Sequence, residues 1–198
     1  MNAPEEEQDR HDMAELVAGR DTALNRLMDR HGPALYRYLI RVLGREAEAA
    51  DVAQETFVRV YQHRARFDPE AKFTTWLYAI ATNLARNRLR TWRRHPELSM
   101  DSEGDDGEGA GLAAVLADGG AAPDQAAQAR ERAKAVRQAV AQLPEHLRVP
   151  LVLAEYEGRS QVEIGRILGC TAKAVEMRLY RARQELRKTL RPWLASGG

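Results

Sequence analysis

The chain is poor in cysteine and in aromatic residues. Its 198 residues include one cysteine, three phenylalanines and three tryptophans, and 30% of them are charged. A lone cysteine, Cys170, cannot form an intrachain disulfide, which is typical of a protein from a reducing compartment. So polar a chain can build small cores but not one large one, and its length allows one or two domains.

Long apolar runs are also missing. Runs such as 149–154 contain a handful of residues, whereas a membrane span needs about 20. Residues 1–10 are acidic and lack the basic and apolar regions of a secretory signal. We therefore expect a cytoplasmic protein without a transmembrane segment.

The sequence shows no arrangement of residues that would support catalysis or metal binding. It has no glycine-rich phosphate loop and no Cys/His pair, and its five histidines are scattered along the chain. No tetrahedral ligand set can be assembled around Cys170, which we interpret as a small turn residue. We therefore predict neither an enzyme nor a metal, a cofactor or a small-molecule substrate.

Charge is balanced in total but not along the chain. Thirty Lys and Arg against 29 Asp and Glu give a net charge of +1. By segment the net charge is −5 over 1–23, +7 over 24–95, −8 over 96–125 and +7 over 126–198. Two basic blocks on either side of a wholly acidic spacer predict two modules that each meet a polyanion.

The acidic spacer also marks the domain boundary. Residues 96–125 hold six Gly, two Pro and eight acidic residues but no Lys or Arg, and such a segment cannot bury enough apolar surface to order itself. We predict a flexible linker here, an acidic disordered tail over 1–11 and a short tail over 193–198. Elsewhere apolar residues recur at helical spacing, which predicts an all-α fold of two small helical domains, 12–95 and 126–192.

Residues 158–183 have the layout of a helix-turn-helix. Ser160 and Glu163 form a capping-box pattern, Gly169 permits a left-handed turn, and Thr171 can cap the second helix. The outward residues of that helix that we expect to contact DNA are Lys173, Glu176, Met177, Arg178, Tyr180 and Arg181. The first four are candidates for reading base edges and the last two for flanking and backbone contacts.

The alternative for this segment is a solvated basic face on a structural helix pair. Helix pairs are common, but the combination of two caps, this turn and this charge pattern favours DNA binding.

Between residues 67 and 94, aromatic residues lie beside a stripe of Asn and Arg. Asn83, Asn87, Arg90 and Arg94 follow one another at spacings of four, three and four, so they share one helix face. Rings stack on unpaired bases and amides read their pairing edges, which suits single-stranded nucleic acid. The alternative is a core of apolar residues with a solvated basic face; for Trp76 we accept that core interpretation, but not for Asn83 and the Arg stripe.

Four motifs, in order and in register, together resemble the extracytoplasmic function group of bacterial sigma-70 family RNA polymerase sigma factors. They are Asp51-Val-Ala-Gln-Glu-Thr-Phe57, Phe73-Thr-Thr-Trp-Leu-Tyr-Ala-Ile-Ala-Thr-Asn-Leu-Ala-Arg-Asn87, Leu143-Pro-Glu-His-Leu-Arg148 and the helix-turn-helix that ends in Tyr180-Arg-Ala-Arg183. The resemblance extends from about Asp12 to Leu190.

The resemblance implies an alternative sigma factor, with region 2 at 12–95 and region 4 at 126–192. Such a protein binds core RNA polymerase through the β′ coiled coil and the β flap, recognises the −35 and −10 promoter elements and promotes strand opening. The residues implied at the polymerase contact are Asp51, Gln54, Glu55 and Arg59. Those implied in capture of the −10 strand are Phe67, Asn83, Arg86, Asn87 and Arg90. The helix-turn-helix would read the −35 element.

The resemblance further implies control by an anti-sigma factor, which could tether the protein to a membrane indirectly. One alternative is a sigma-like mimic that sequesters an anti-sigma factor without binding DNA. Another is a plain helix-turn-helix repressor, which would leave Asn83 unexplained. Glu176 puts an acid among the base-reading residues, so the promoter sequence cannot be inherited from any relative.

Overall fold

A computed structural model describes residues 3–94, 123–191 and 193. Over these residues the chain forms α-helices and one short 3-10 turn, with no β-strand, which confirms the all-α prediction. In chain order the elements are α1 (Ala3–Val17), α2 (Thr22–Leu43), α3 (Glu46–His63), the 3-10 turn Arg64–Arg66, α4 (Phe73–Arg94), α5 (Pro123–Gln142), α6 (Glu145–Glu155), α7 (Gln161–Leu168) and α8 (Ala172–Thr189).

The predicted linker falls almost wholly outside the described residues. Of the segment 96–125, only the last three residues are described, and they begin α5. Of the predicted tail 193–198, only Trp193 is described. The elements on either side form an N-terminal unit, α1–α4, and a C-terminal unit, α5–α8.

Three long helices, α2, α3 and α4, build most of the N-terminal unit. Leu27, Leu35 and Leu39 of α2 are fully buried because their spacing of eight and four places them on one helix face. Tyr38, also fully buried, has its hydroxyl 2.7 Å from Thr82 Oγ1, which joins α2 to α4. Burial at this depth fixes the register of α4, the helix that carries the predicted strand-capture residues.

The prediction of a disordered tail over 1–11 is wrong for residues 3–11, because these residues belong to α1. Two acids of α1, Asp9 and Asp12, are buried on the side that faces α2. From composition alone, acidic side chains such as these are expected to be exposed to solvent. Here they are ordered by basic partners from another helix.

Those partners are arginines one turn apart on α2. Arg30 donates to Asp9 Oδ1 at 2.5 Å and to Asp12 Oδ2 at 2.7 Å, and Arg26 donates to Asp12 Oδ1 at 2.8 Å. Burial alone would raise the pKa of Asp12, but the hydrogen bonds from Arg30 and Arg26 outweigh it and hold the pKa below its usual value. Asp12 is therefore ionised at neutral pH and bonded to both arginines.

In the C-terminal unit, α5, α6 and α7 pack against α8. Leu153 of α6, Ile164 of α7 and Val175 of α8 are fully buried together with their neighbours. Val162, at the start of α7, is 55% exposed. The core of this unit thus receives fully buried side chains from α6, α7 and α8.

Candidate nucleic-acid and polymerase interfaces

The two helices of the helix-turn-helix, α7 and α8, are held in place by local caps. Ser160 Oγ accepts from the Glu163 amide at 3.3 Å while Glu163 Oε2 accepts from the Ser160 amide at 2.9 Å, so the predicted capping box is confirmed. Gly169 adopts a left-handed conformation with φ 63°, and Thr171 Oγ1 accepts from the Ala174 amide at 3.2 Å. Burial opposes the shift, but hydrogen bonds from Ser160 and Lys72 lower the pKa of Glu163 to about 2.

A glycine inside α7 sets how closely the two helices of the motif approach. A Cβ atom at Gly165 would lie 2.7 Å from the carbonyl oxygen of Cys170, closer than van der Waals contact permits. The Gly165 carbonyl in turn accepts from the Cys170 amide at 2.9 Å. The sequence analysis did not single out Gly165; its signal is a glycine in mid-helix, five residues before the turn.

Five of the six residues predicted to contact DNA are exposed on α8. Tyr180 is 58% exposed and Met177 43%, and Lys173, Glu176 and Arg181 are also exposed. Of the four predicted base-reading residues, three are therefore exposed, and Arg178 is half-buried.

Two of the base-reading candidates on α8 are paired with each other. Lys173 Nζ donates to both carboxylate oxygens of Glu176, at 2.9 and 3.0 Å. Arg178 Nη1 lies 3.7 Å from Cys170 Sγ, which places the guanidinium end of its side chain at the turn. The acid at position 176 is thus neutralised locally rather than standing alone in the reading surface.

On α4, the predicted amide and guanidinium stripe is solvent-facing. Asn83, Arg86, Asn87 and Arg90 are all exposed and follow one face of the helix. Arg90 donates to the side-chain oxygen of Asn87. The last turn of α4 adds Arg93 and Arg94, where the partial negative charge of the helix end favours basic side chains.

Phe67 lies at the edge of an aromatic cluster beside the start of α4. Its ring is half-buried, with its centroid 5.3 Å from Trp76 and 6.2 Å from Phe73. Trp76 packs against the core, as expected. Phe67 therefore belongs to this aromatic cluster and keeps part of its side chain exposed.

The predicted polymerase-contacting residues share one face of α3. Asp51 and Gln54 are exposed, and half-buried Arg59 donates to Glu55 Oε1 at 2.7 Å. Val58, 46% exposed, lies on the same face and was missed by the sequence analysis. Its signal was an apolar residue at an outward position of the helix.

Sequence reasoning also missed a set of polar contacts between the two units. Tyr78 of α4 donates to Glu157 Oε2 at 2.6 Å, and Arg159 donates to Thr74 Oγ1 at 2.9 Å. Burial and the neighbouring Glu157 raise the pKa of Tyr78 far above its usual value, so its hydroxyl is a neutral donor. Arg86 of the predicted stripe pairs with Glu145 of α6, Nε to Oε1 at 2.7 Å.

Metal-ligand clusters and membrane-spanning helices would each indicate another class of protein. In 3–94, 123–191 and 193, no three His, Cys, Asp or Glu side chains are grouped so that they could hold a metal ion. Nor does any helix within those ranges combine the length and the apolar character needed to cross a bilayer.

The two helical units correspond to two known families. Residues 27–95 match the family described as Sigma-70 region 2, and residues 133–186 match Sigma-70, region 4. These matches, in this order on an all-α frame, define a sigma factor, the transcription initiation factor that binds RNA polymerase and is not itself a catalytic enzyme.

Curated relatives narrow the class. Over 177 residues the chain is 35% identical to the ECF RNA polymerase sigma factor SigW of Bacillus subtilis, covering 89% of this chain and 94% of that one. Over 189 residues it is 34% identical to the RNA polymerase sigma-H factor of Pseudomonas aeruginosa, covering 96% and 97%. The chain belongs to the extracytoplasmic function group of sigma-70 family RNA polymerase sigma factors.

Two solved structures share the fold. CnrH in complex with the cytosolic domain of CnrY is 29% identical, with a TM-score of 0.67 over 93% of this chain and 98% of that one. The sigma factor RpoE in complex with the anti-sigma factor NepR from Bartonella quintana is 22% identical, with a TM-score of 0.60 over 84% and 96%. The second likeness concerns the fold alone.

Proposed function

We propose that this sigma factor gives core RNA polymerase its promoter specificity by dividing the promoter between its two units. The C-terminal unit reads the duplex −35 element through α8. The N-terminal unit captures the opened −10 strand through α4 and binds core polymerase through α3. The observation that supports the proposal is the capped α8, on which five of the six predicted DNA-contacting residues are exposed.

The chemistry of the α8 face supports reading of base edges. Arg178 can bond two acceptors of a guanine, and Met177 can pack on a thymine methyl group. Glu176, held by Lys173, can accept from a cytosine amine once Lys173 turns to a phosphate. Tyr180 and Arg181, further along the helix, suit contacts to the backbone.

The α4 surface suits a single strand rather than a duplex. Asn83 and Asn87 offer donors and acceptors to the pairing edge of an unpaired base, while Arg86 and Arg90 offer charge to its phosphates. The half-buried ring of Phe67 offers a stacking edge nearby. The binding free energy of unpaired bases on this surface then offsets the cost of opening the duplex.

Two protein partners complete the proposal. The mixed face of α3, with Asp51, Gln54 and the Glu55–Arg59 pair around exposed Val58, is of a size and polarity suited to a helical partner such as the β′ coiled coil. The C-terminal unit would dock on the β flap. Control by an anti-sigma factor is supported by CnrH, the 29% identical neighbour, which was solved with a cytosolic domain of another protein bound.

The test is reconstitution with core polymerase. The purified chain is mixed with core RNA polymerase and a library of promoter fragments, and the transcripts are sequenced. We expect initiation from a subset of fragments that share two elements at fixed spacing. Binding of core without promoter-dependent initiation, or no binding of core, would contradict the proposal and favour an anti-sigma-sequestering mimic.

A further inference from the structure

The buried side of α4, the helix that carries the proposed −10 capture residues, is mostly apolar and partly smooth. Ala81 and Ala85, one turn apart, are fully buried, and Leu77 and Leu84 lie on the same side of the helix. Apolar contacts have no preferred direction, and an alanine side chain is too short to fill a groove on a neighbouring helix. Packing of this kind keeps α4 in the core but does little to fix its rotation about its own axis.

Thr82 adds a directional contact to this side of α4. Tyr38 Oη of α2 lies 2.7 Å from Thr82 Oγ1, and both side chains are fully buried. Burial raises the pKa of Tyr38 far above its usual value, so its hydroxyl keeps its proton at neutral pH. The ring of Tyr38 packs edge-on against Tyr78, with centroids 5.0 Å apart. The hydroxyl of Tyr38 is thus held at one point in the core.

A hydrogen bond between two buried hydroxyls opposes movement of α4. A buried hydroxyl that loses its partner has no water to replace it, so separation of the two groups is costly. A slip of α4 by one residue would move Thr82 by about 1.5 Å along the axis and turn it by about 100°. The ion pair between Arg88 Nε and Glu48 Oε2, at 3.0 Å, also links α4 to its own unit, but Arg88 is 38% exposed and water weakens this pair. The hydroxyl pair therefore selects one rotation of α4.

The rotation of α4 determines where the proposed capture residues point. Asn83 directly follows Thr82, so its side chain leaves the helix about 100° round the axis from the buried threonine. Asn87 and Arg90 continue the exposed stripe from Asn83. An amide must lie within hydrogen-bond distance of a base edge, so a displacement of about 1 Å at Asn83 is enough to weaken the contact strongly.

We propose that Tyr38 and Thr82 are positioning residues for capture of the −10 strand. The proposal rests on the function proposed above, in which Asn83 binds an unpaired base. The hydrogen bond between the two hydroxyls fixes the rotation of α4 and thereby the direction of the Asn83 amide. Tyr38 and Thr82 act through Asn83 and do not touch DNA, since both are fully buried.

The test uses variants of the full chain that differ in single hydroxyl groups. Thr82→Val removes the hydroxyl and keeps the branched shape, whereas Thr82→Ser keeps the hydroxyl. Tyr38→Phe combined with Thr82→Val removes both hydroxyls and leaves neither unpaired. Thr56→Val is the matched control, because Thr56 is also fully buried but donates within its own helix, to the Val52 carbonyl at 2.7 Å. Circular dichroism and thermal melting verify that each variant folds.

Each variant is assembled with core RNA polymerase on a duplex promoter selected from the fragment library. Strand opening is followed over time by the reactivity of unpaired thymines toward permanganate. We expect Thr82→Val and the double variant to open the promoter several-fold more slowly than wild type. Thr82→Ser and Thr56→Val should open it at the wild-type rate. Binding of the closed duplex, which depends on α8, should be the same for all of these chains.

A double-mutant cycle with Asn83 separates positioning from stability. If Thr82 acts through Asn83, Thr82→Val should slow opening several-fold in the wild-type chain and hardly at all in a chain that already carries Asn83→Ala. A general loss of stability would instead slow opening by the same factor in both chains.

Two results would overturn the inference while the proposed promoter function stands. One is a folded Thr82→Val chain that opens the promoter at the wild-type rate, and the other is equal slowing by Thr82→Val with and without Asn83. If Thr82→Val does not fold, the double variant takes its place in both comparisons. If wild type itself opens no promoter with core polymerase, the proposed promoter function fails and the inference fails with it.

Discussion

The two units differ in how their proposed DNA-contacting side chains are paired. On α8 the pairs are internal to the helix, such as Lys173 with Glu176, and the face remains exposed. On α4, Arg86 is paired with Glu145 of the other unit. The proposed duplex-reading surface on α8 is therefore held by local caps. The proposed strand-capturing surface on α4 instead makes contacts with a distant part of the chain.

The units also differ in what stabilises them. The C-terminal unit depends on helix caps and on a close backbone approach at Gly165. Disrupting either of them typically costs about 1–2 kcal/mol of the free energy of unfolding. The N-terminal unit relies on long helices and on the buried carboxylate Asp12 between two arginines. Substitutions should therefore damage the two units through different interactions and by different amounts.

The largest effect is expected at Asp12. Asp12→Ala leaves Arg26 and Arg30 without their shared acceptor, which should cost about 3 kcal/mol of the free energy of unfolding, at the low end for a buried pair because both arginines are partly exposed. Urea denaturation measures the cost. The exposed Glu7 of α1 provides a control, and Glu7→Ala should cost under about 0.5 kcal/mol.

The loss at Asp12 should depend on pH in a defined direction. Its folded pKa lies below the ordinary 3.8, so its contribution is fully present above about pH 4 and is lost as pH falls through the folded pKa. The difference between wild type and Asp12→Ala should shrink in acid. A difference that stays constant from neutral pH into acid would mean that Asp12 acts through packing alone.

Next in size is Gly165→Ala in the C-terminal unit. The added Cβ meets the Cys170 carbonyl at 2.7 Å, and because that atom is backbone the helix must shift, at a cost of about 2 kcal/mol. Gly32→Ala is the matched control: Gly32 is also helical and has open space around its Cβ position, so it should gain up to about 1 kcal/mol. If thermal melting shows the same stability for both variants, the close approach of Gly165 to Cys170 is not what limits the stability of this unit.

A smaller effect, of about 1–2 kcal/mol, is expected for Arg178→Ala in discrimination between promoter sequences. The loss should be confined to the half of the promoter that contains the −35 element. Arg187→Ala, further along α8, should weaken binding to all sequences alike and reduce the salt slope by about 1. Equal losses on every sequence for Arg178→Ala would limit this residue to a phosphate contact.

The smallest effect is expected at the cap of α7. Ser160→Ala removes the hydroxyl that accepts from the Glu163 amide and should cost about 1 kcal/mol of stability. Ser160→Thr keeps a capping hydroxyl and should cost less. If both substitutions cost the same in urea denaturation, the loss does not come from the cap.

A feature of the structure could be predicted from the sequence when the residues that determine it lie close together along the chain. Ser160, Gly169 and Thr171 were predicted correctly because caps and turns depend on residues three to five positions away. The helical state of residues 3–11 was missed because the burial of Asp9 depends on Arg30, 21 positions along the chain.

The contact between the units lay beyond sequence reasoning for the same reason. Tyr78 and Glu157 are 79 positions apart, and no pattern in either segment indicates the other. Val162 shows the converse limit, because an apolar side chain at the start of a helix can be either buried or exposed, and only packing determines that it is exposed.

The division of labour between the units is tested most directly by initiation from a duplex promoter and from the same promoter with a preopened −10 bubble. Asn83→Ala and Arg178→Ala are compared with wild type in holoenzyme with core polymerase. The account predicts that the bubble restores initiation by Asn83→Ala, whose defect lies in strand opening, and does not restore Arg178→Ala, whose defect lies in duplex recognition. Equal restoration of both variants, or of neither, would contradict it.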